Sequence, residues 1–292
     1  MNQHFVSKVI LRRFSPPNKK GLIHILEKPN KEFLYQSIAK NAACIINYNI
    51  IEINGKKSNI LEEIACDIER EVGRVIEKIN SNNCKINNND WSNIILLGAF
   101  LYLNVPHIRK NIEKFEKSKY QLIAKILGSD KSMLQNYIEK IDLSIIDKNK
   151  IDLKKLINFL KNKNRNKIIV SKEKIIFNAL NQISFLYNIL INMHWDLYLL
   201  IDNSYFITSD TPIVPMARNW KFPFAPGIKI AHQVIFPLTK KVCAIGQWTE
   251  RKSSFEVNYL YANLVNISMM KYSRYLYSPL TFNELNGQFN KF

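Results

Sequence analysis

LYLLIDNSYFITSDTP, residues 197–212, is the stretch that decides the fold. Two short runs in it, Leu197–Ile201 and Tyr205–Thr208, are apolar and rich in branched and aromatic side chains, as strands are. The second run halts at Thr-Ser-Asp and then Pro212, which has no N–H for a ladder. The string FITSDTP, Phe206–Pro212, therefore reads as a strand stopped at a turn, with a carboxylate and two hydroxyls at its tip. Strand tips on a rigid scaffold often hold working groups.

Upstream, from about Ser58 to His194, the pattern is helical. Ile60, Leu61, Ile64, Ile68, Val72, Val75, Ile76 and Ile79 recur at helical spacing behind a Ser58-Asn59 cap. Asn87–Asn89 and Asp90 cap a helix over Trp91–Asn104, and Pro106 opens another. Ser132–Ile141, Leu153–Leu160 and Lys172–His194 follow, with the basic connector KNKNRNK at Lys161–Lys167. Downstream, Gln233–Leu238, Val242–Gln247 and Arg274–Ser278 read as strands and Tyr259–Met270 as a helix. Residues 1–55 read as extended pieces, Val6–Leu11, Leu22–Leu26 and Ile45–Ile53, punctuated by Pro16-Pro17, Gly21, Pro29 and Gly55. The predicted fold is α+β, with strand-bearing N- and C-terminal parts around a mainly helical centre. It is treated as one domain over 1–292, with subdivisions 1–57, 58–196 and 197–292. If the two ends share a sheet, FITSDTP meets the N-terminal string QHFVSKVILRRF, Gln3–Phe14.

A chain of 292 residues, 47% hydrophobic, can bury a substantial core. Its net charge of +18 favours nucleic acid, an anionic membrane or acidic substrates as partners. The joint enrichment in Lys, Ile and Asn is also what AT-rich coding DNA produces, so charge alone does not choose among them. Cys44, Cys66, Cys84 and Cys243 form no CxxC pair, so a reducing, cytoplasmic setting is expected rather than a zinc site. The N-terminus lacks a signal pattern. The longest apolar stretches, Ile94–Val105 and Ile183–Ile201, are too short or too polar to span a bilayer, so no membrane partner is expected. P-loop, GxGxxG, HExxH, EF-hand and GxSxG motifs are absent.

Among polar residues, His4 can act as acid, base or ligand, or stand exposed with no role. With Val6–Leu11 as a strand, His4, Lys8 and Arg12 share one face, a set suited to phosphate or carboxylate. Glu62 and Glu69 share a helix face. Glu69 touches the apolar stripe and can pair with Arg12, serve as a base or help hold a metal. Asp210 can bind a metal, transfer a proton or orient His4, and equally can close an Asx turn before Pro212. Ser209 is a nucleophile only with a base beside it. WKFPF, Trp220–Phe224, with Arg218 and Lys221, can stack bases or anchor a loop. Arg109, Lys110, Lys114 and Lys117 alternate with Glu113 and Glu116, as on a solvated helix face.

Several of these strings together resemble the domain of unknown function 4238 family. They are His4-Phe5-Val6, Leu11-Arg12-Arg13-Phe14, Glu62 and Glu69, Trp195, Phe206–Pro212, Phe236-Pro237-Leu238, and Arg274-Tyr275-Leu276-Tyr277-Ser278. The family's Pro-Gln after His-aromatic-Val is here Ser7-Lys8, its Ser-Asp-Asn-Pro carries Thr211, and an arginine before the mid-chain proline is Asn104. Lys8 or Arg109 would then replace an anion-binding arginine. The resemblance implies no reaction and marks which polar residues belong together.

The reading that joins charge to these residues is a nuclease, most plausibly RNA-directed, of the toxin or phage-defence kind. Its catalytic residues would be His4, Glu69, Asp210 and Ser209, and its substrate-binding residues Lys8, Arg12 and Arg109. Any divalent cation, Mg²⁺ or Mn²⁺, would sit on Glu69 and Asp210. The alternatives are a non-catalytic nucleic-acid-binding or regulatory protein and a hydrolase of a small anionic substrate. The oligomeric state is open.

Overall fold

The computed structural model describes residues 2–27, 32–53, 55–81, 85–140, 151–161, 168–218, 227–249 and 255–289. Within them the chain is α+β, with strands towards both ends and helices in the centre. It forms two compact units, 1–108 with 179–292, and 109–178, divided inside two helices.

The N-terminal elements of the first unit are β1 (Asn2–His4), α1 (Lys8–Leu11), β2 (Leu22–Glu27), β3 (Glu32–Ile38), β4 (Cys44–Ile46), β5 (Ile51–Ile53) and β6 (Lys56–Ser58). Helices α2 (Ile60–Ser81) and α3 (Asn88–Asn104) follow. Beyond α4 (Pro106–Ser129), α5 (Lys131–Lys140), α6 (Leu153–Lys161) and α7 (Lys172–Ile191) come β7 (His194–Leu200), β8 (Thr208–Ser209) and β9 (Val214–Met216). The chain ends with β10 (Gln233–Pro237), β11 (Val242–Gln247), β12 (Phe255–Val257), α8 (Tyr259–Tyr272), β13 (Tyr275–Ser278) and α9 (Phe282–Phe289).

One sheet runs β12-β7-β11-β10-β9, antiparallel except for the parallel β12–β7 pair. Every residue of β11 is buried, in keeping with the apolar run Val242–Ile245 that opens it. Gly246 of β11 lies opposite Trp195 of β7, and a Cβ there would stand 2.7 Å from the indole. Helix α3 packs closely against this part of the unit: a Cβ on Gly98 would lie 3.0 Å from Ile213 and 3.6 Å from Phe236. Its start is fixed by a capping box in which Asn87 and Asp90 satisfy each other's backbone N–H.

The other large sheet runs β3-β2-β13-β8, so the two ends of the chain do share one sheet. Of the predicted Tyr205–Thr208 strand only Thr208 joins it, and the pairing continues to Ser209. Just before, Asn266 of α8 takes the backbone instead: its Nδ2 donates to Tyr205 O (2.8 Å) and its Oδ1 accepts from Ile207 N (2.9 Å). The predicted run Ile45–Ile53 splits into β4, paired with β1, and β5, paired with β6.

Val6–Leu11 is not a strand. The backbone turns helical from Lys8, as α1 and then a 3₁₀ turn over Arg12–Phe14. The buried positions Val6, Ile10, Leu11 and Phe14 explain why: they fall at helical spacing, all fully covered, whereas a strand would cover alternate residues.

In the second unit, Gly128 lets α4 approach α6, its would-be Cβ lying 3.2 Å from that of Leu160. Glu113 pairs with Lys117 four residues on, as expected of a solvated face, but Glu116 is buried and pairs with Lys119 at 2.8 Å three residues on, so that face is not wholly solvated. Among the described residues no single helix is long and apolar enough to cross a membrane.

Candidate functional site

The turn from strand to helix keeps Lys8 and Arg12 together, since residues four apart share a helix face. Helix α1 lies against α2, where Val9 approaches Gly73. This brings Glu69, one helical turn earlier on α2, to the same place. Ser7 occupies the N-cap position of α1 without capping it, and its buried hydroxyl favours the ionised form of Glu69 without a hydrogen bond of ordinary geometry among the described residues. Burial pushes the Glu69 carboxyl up to about 7; the Ser7 hydroxyl opposes this, Glu62 adds to it, and Lys8 and Arg12 partly offset it. Glu62 itself accepts from Asn49 Nδ2 (3.3 Å), whose backbone N–H is held by Gln3 Oε1 at 2.6 Å.

His4 belongs to the same group. Burial first, then Lys8 and Arg12, lowers its imidazole to about 4, against a smaller opposing pull from the backbone at Lys40 and Ala39. Both ring nitrogens are sealed from solvent and, among the described residues, have no hydrogen bond of ordinary geometry. At neutral pH the ring is uncharged and out of a ligand's reach, so it shapes the floor of the group rather than touching a substrate.

Ser209 and Asp210 lie elsewhere. Asp210 does not meet His4, so it does not orient that ring, and sheet geometry gives the reason. His4 abuts Ala39 and Lys40, just past the Leu22↔Ile38 end of the β2–β3 pair. Asp210 N–H bonds Tyr275 O (2.9 Å), and Tyr275 pairs with Glu27 at the opposite end of β2. Five strand steps and three strand spacings separate the two corners, about 16 Å along and about 14 Å across.

At its corner Asp210 accepts from Arg274 N–H (3.1 Å). Burial raises its carboxyl to about 6 despite those backbone N–H groups and the Arg274 charge. Ser209 is fully buried and serves as a knot: its hydroxyl donates to Thr211 O (2.8 Å) and accepts from Thr211 N–H (3.1 Å). Ser273 Oγ lies 2.7 Å away. None of these partners is a base, so the geometry gives Ser209 no activation as a nucleophile.

Sequence reasoning missed a basic cleft of about 350 Å³ lined by Arg12, Arg13, Lys20, Asn80, Lys240 and Lys241 with the Ser15–Pro17 turn and Thr239. Its walls come from opposite ends of the chain. Lys240 N–H donates to Arg13 O (3.2 Å), and Lys240 Nζ to Ser15 O (2.8 Å). The FITSDTP string does reach this place, but through its first residue: Phe206 N–H bonds Lys240 O at 2.9 Å. The one available signal was the Lys240-Lys241 pair after the Phe-Pro-Leu strand, and nothing in the sequence places it beside Arg12.

Arg109 belongs to the second unit, where Lys172 is lowered by burial and then by the Arg109 charge. Trp195 packs on Trp91 (6.1 Å) and donates to Leu190 O, a structural role. Cys44, Cys66 and Cys243 are free thiols whose ionisation burial makes harder. Cys84 and the WKFPF string lie outside the described residues. Among the described residues no three His, Cys, Asp or Glu side chains converge as metal ligands, and neither Glu69 nor Asp210 figures among the charges that act on the other.

The frame is thus an α+β protein in which Arg12, on an N-terminal helical turn, links a half-buried glutamate to a basic cleft. The chain belongs to the family described as "Protein of unknown function (DUF4238)", which residues 2–271 match. Comparison with curated proteins and with solved structures gives no match.

Proposed function

We propose that this protein is a nuclease that cleaves RNA, with Glu69 as its proton-transfer group and Arg12 and Lys8 as its phosphate anchors. The observation that carries this reading is the double position of Arg12: it lines the basic cleft and its charge acts on Glu69. A carboxyl that titrates near 7 suits a general base at neutral pH. As carboxylate, Glu69 takes the proton of a ribose 2′-hydroxyl. The freed oxygen bonds the adjacent phosphorus, the bond to the 5′ oxygen breaks, and that oxygen takes a proton from water. Arg12 and Lys8 stabilise the added charge on the phosphorus oxygens. His4, neutral and enclosed, positions rather than reacts. Asp210 and Ser209 have no part in this step. The small volume of the cleft favours one competing reading, a hydrolase of a small phosphorylated substrate.

The test is incubation of purified protein with total RNA, tRNA and plasmid DNA, in Mg²⁺, Mn²⁺ or EDTA, beside Glu69→Gln. RNA cleavage by the wild type is expected, rising with pH through about 7 and reduced at least about a hundredfold in the variant. No cleavage of RNA in any condition overturns the proposal.

A further inference from the structure

We propose that the cleft between the Arg12–Lys20 segment and Lys240-Lys241 is a binding site for clustered phosphates, such as the triphosphate of a nucleotide or of an RNA 5′ end. Among the described residues five cations, Arg12, Arg13, Lys20, Lys240 and Lys241, line it, and no carboxylate does. Two acids lie close outside. Glu77 is 3.4 Å from Arg13 but mostly in water, where such a pair is weak. Asp202 also attracts Lys241, but its carboxylate is already held by Ser204 and by the backbone N–H of Tyr259.

The site is built rather than a chance crowd of surface lysines. Lys240 is fastened to Arg13 O and Ser15 O, and Ser15 Oγ in turn bonds Arg12 O (3.0 Å) and Gly21 N–H (2.9 Å). Lys241 Nζ donates to the carbonyls of Asp202 and Ser204 and sits 4.6 Å from the Tyr205 ring centre. An ammonium has three N–H groups, so among the described residues Lys240 keeps two and Lys241 one for a ligand. Burial, and for Lys240 its neighbour's charge, makes both ammonium groups easier to deprotonate, a strain that a bound anion would relieve. A lone carboxylate cannot answer five cations. A cleft of about 350 Å³ is at the small end of ligand sites, which span about 300–1,000 Å³. Several phosphates on one chain fit both limits, and the arginine forks match phosphate oxygens.

Binding is measured by calorimetry at fixed ionic strength, with inorganic tripolyphosphate, a nucleoside triphosphate, the matching monophosphate, and RNA oligonucleotides with 5′-triphosphate or 5′-hydroxyl ends. The triphosphate-bearing probes are expected to bind at least about tenfold more tightly than monophosphate. The double variant Arg13→Glu, Lys20→Glu is expected to lose that binding without a fall in its melting temperature. Preference for the RNA end over the free nucleotide identifies the source as RNA; equal or tighter binding of the nucleotide identifies a small molecule. Equal affinity for tri- and monophosphate, or undiminished binding by the double variant, overturns the inference. The inference is independent of catalysis by Glu69. A Glu69→Gln protein should still bind these probes, somewhat more tightly because a negative charge near Arg12 is gone, so a chain that binds triphosphate but never cleaves RNA sinks only the nuclease reading.

Discussion

Glu69 and His4 share one environment and respond to it with opposite signs. Burial disfavours the charged form of each, which raises an acid and lowers a base. An unfolded glutamate ionises near 4.5, the folded Glu69 near 7. Its contribution to stability is therefore complete below 4.5 and disappears as pH rises through about 7. For His4, lowered from 6.5 to about 4, the contribution is complete above 6.5 and disappears as pH falls through about 4. Glu69→Gln removes the first dependence and leaves the second. Relative to wild type, the variant should gain about 1–2 kcal/mol between about pH 5 and about pH 8, allowing for the partial exposure of the side chain. Urea unfolding at the two pH values measures this. A difference that does not change with pH would mean that Glu69 ionises like a surface glutamate, and its fitness as a base near neutrality would go with it.

At the level of elements, most helices were legible because apolar spacing, Asn/Asp caps and Pro106 speak locally. The two consequential misreadings involve partners that the sequence does not reveal. Val6–Leu11 is short and apolar, a case in which period alone cannot separate strand from helix, and the answer comes from how Val6, Ile10, Leu11 and Phe14 are all covered at once. FITSDTP does stop a strand, but the local turn is closed by the Ser209 hydroxyl, which accepts from Thr211 N–H, while the Asp210 carboxylate accepts from Arg274 N–H rather than closing an Asx turn. The parity argument for His4, Lys8 and Arg12 rested on the wrong element, yet the two cations still share a face because spacing of four suits a helix as well as a strand. Glu69 was legible as a carboxylate at the edge of an apolar stripe; the basic cleft was not, since its walls lie some 225 residues apart. Ser209 ties the end of β8 to Thr211 and to Ser273 at the head of β13. Ser209→Ala strands the Thr211 N–H and the Ser273 hydroxyl inside the protein, at a cost of about 1–3 kcal/mol. The melting temperature should fall while RNA cleavage per folded molecule stays unchanged. Loss of cleavage without loss of stability would return Ser209 to the catalytic set.

For the whole molecule the question is whether the +18 charge is a functional field or a by-product of composition. Several of the ion pairs join neighbours three apart on exposed helix faces, and such pairs add little. The surplus positive charge must then repel itself, a destabilising influence that salt screens. Raising ionic strength from about 0.01 M to about 0.15 M shortens the screening length from about 30 Å to about 8 Å and should raise the melting temperature. This response belongs to the net charge wherever it lies, and the Arg13→Glu, Lys20→Glu protein should show it in smaller measure. A triphosphate at matched ionic strength acts differently: it stabilises only by binding, so its effect grows with concentration and saturates the site, adding about 2.7 kcal/mol at a hundred times its Kd. Differential scanning fluorimetry with sodium chloride and with tripolyphosphate separates the two. If both salts raise the melting temperature equally at equal ionic strength, the charge acts only as a diffuse field. If tripolyphosphate exceeds chloride in the wild type but not in the double variant, the charge is concentrated where the two ends of the chain close on one cleft.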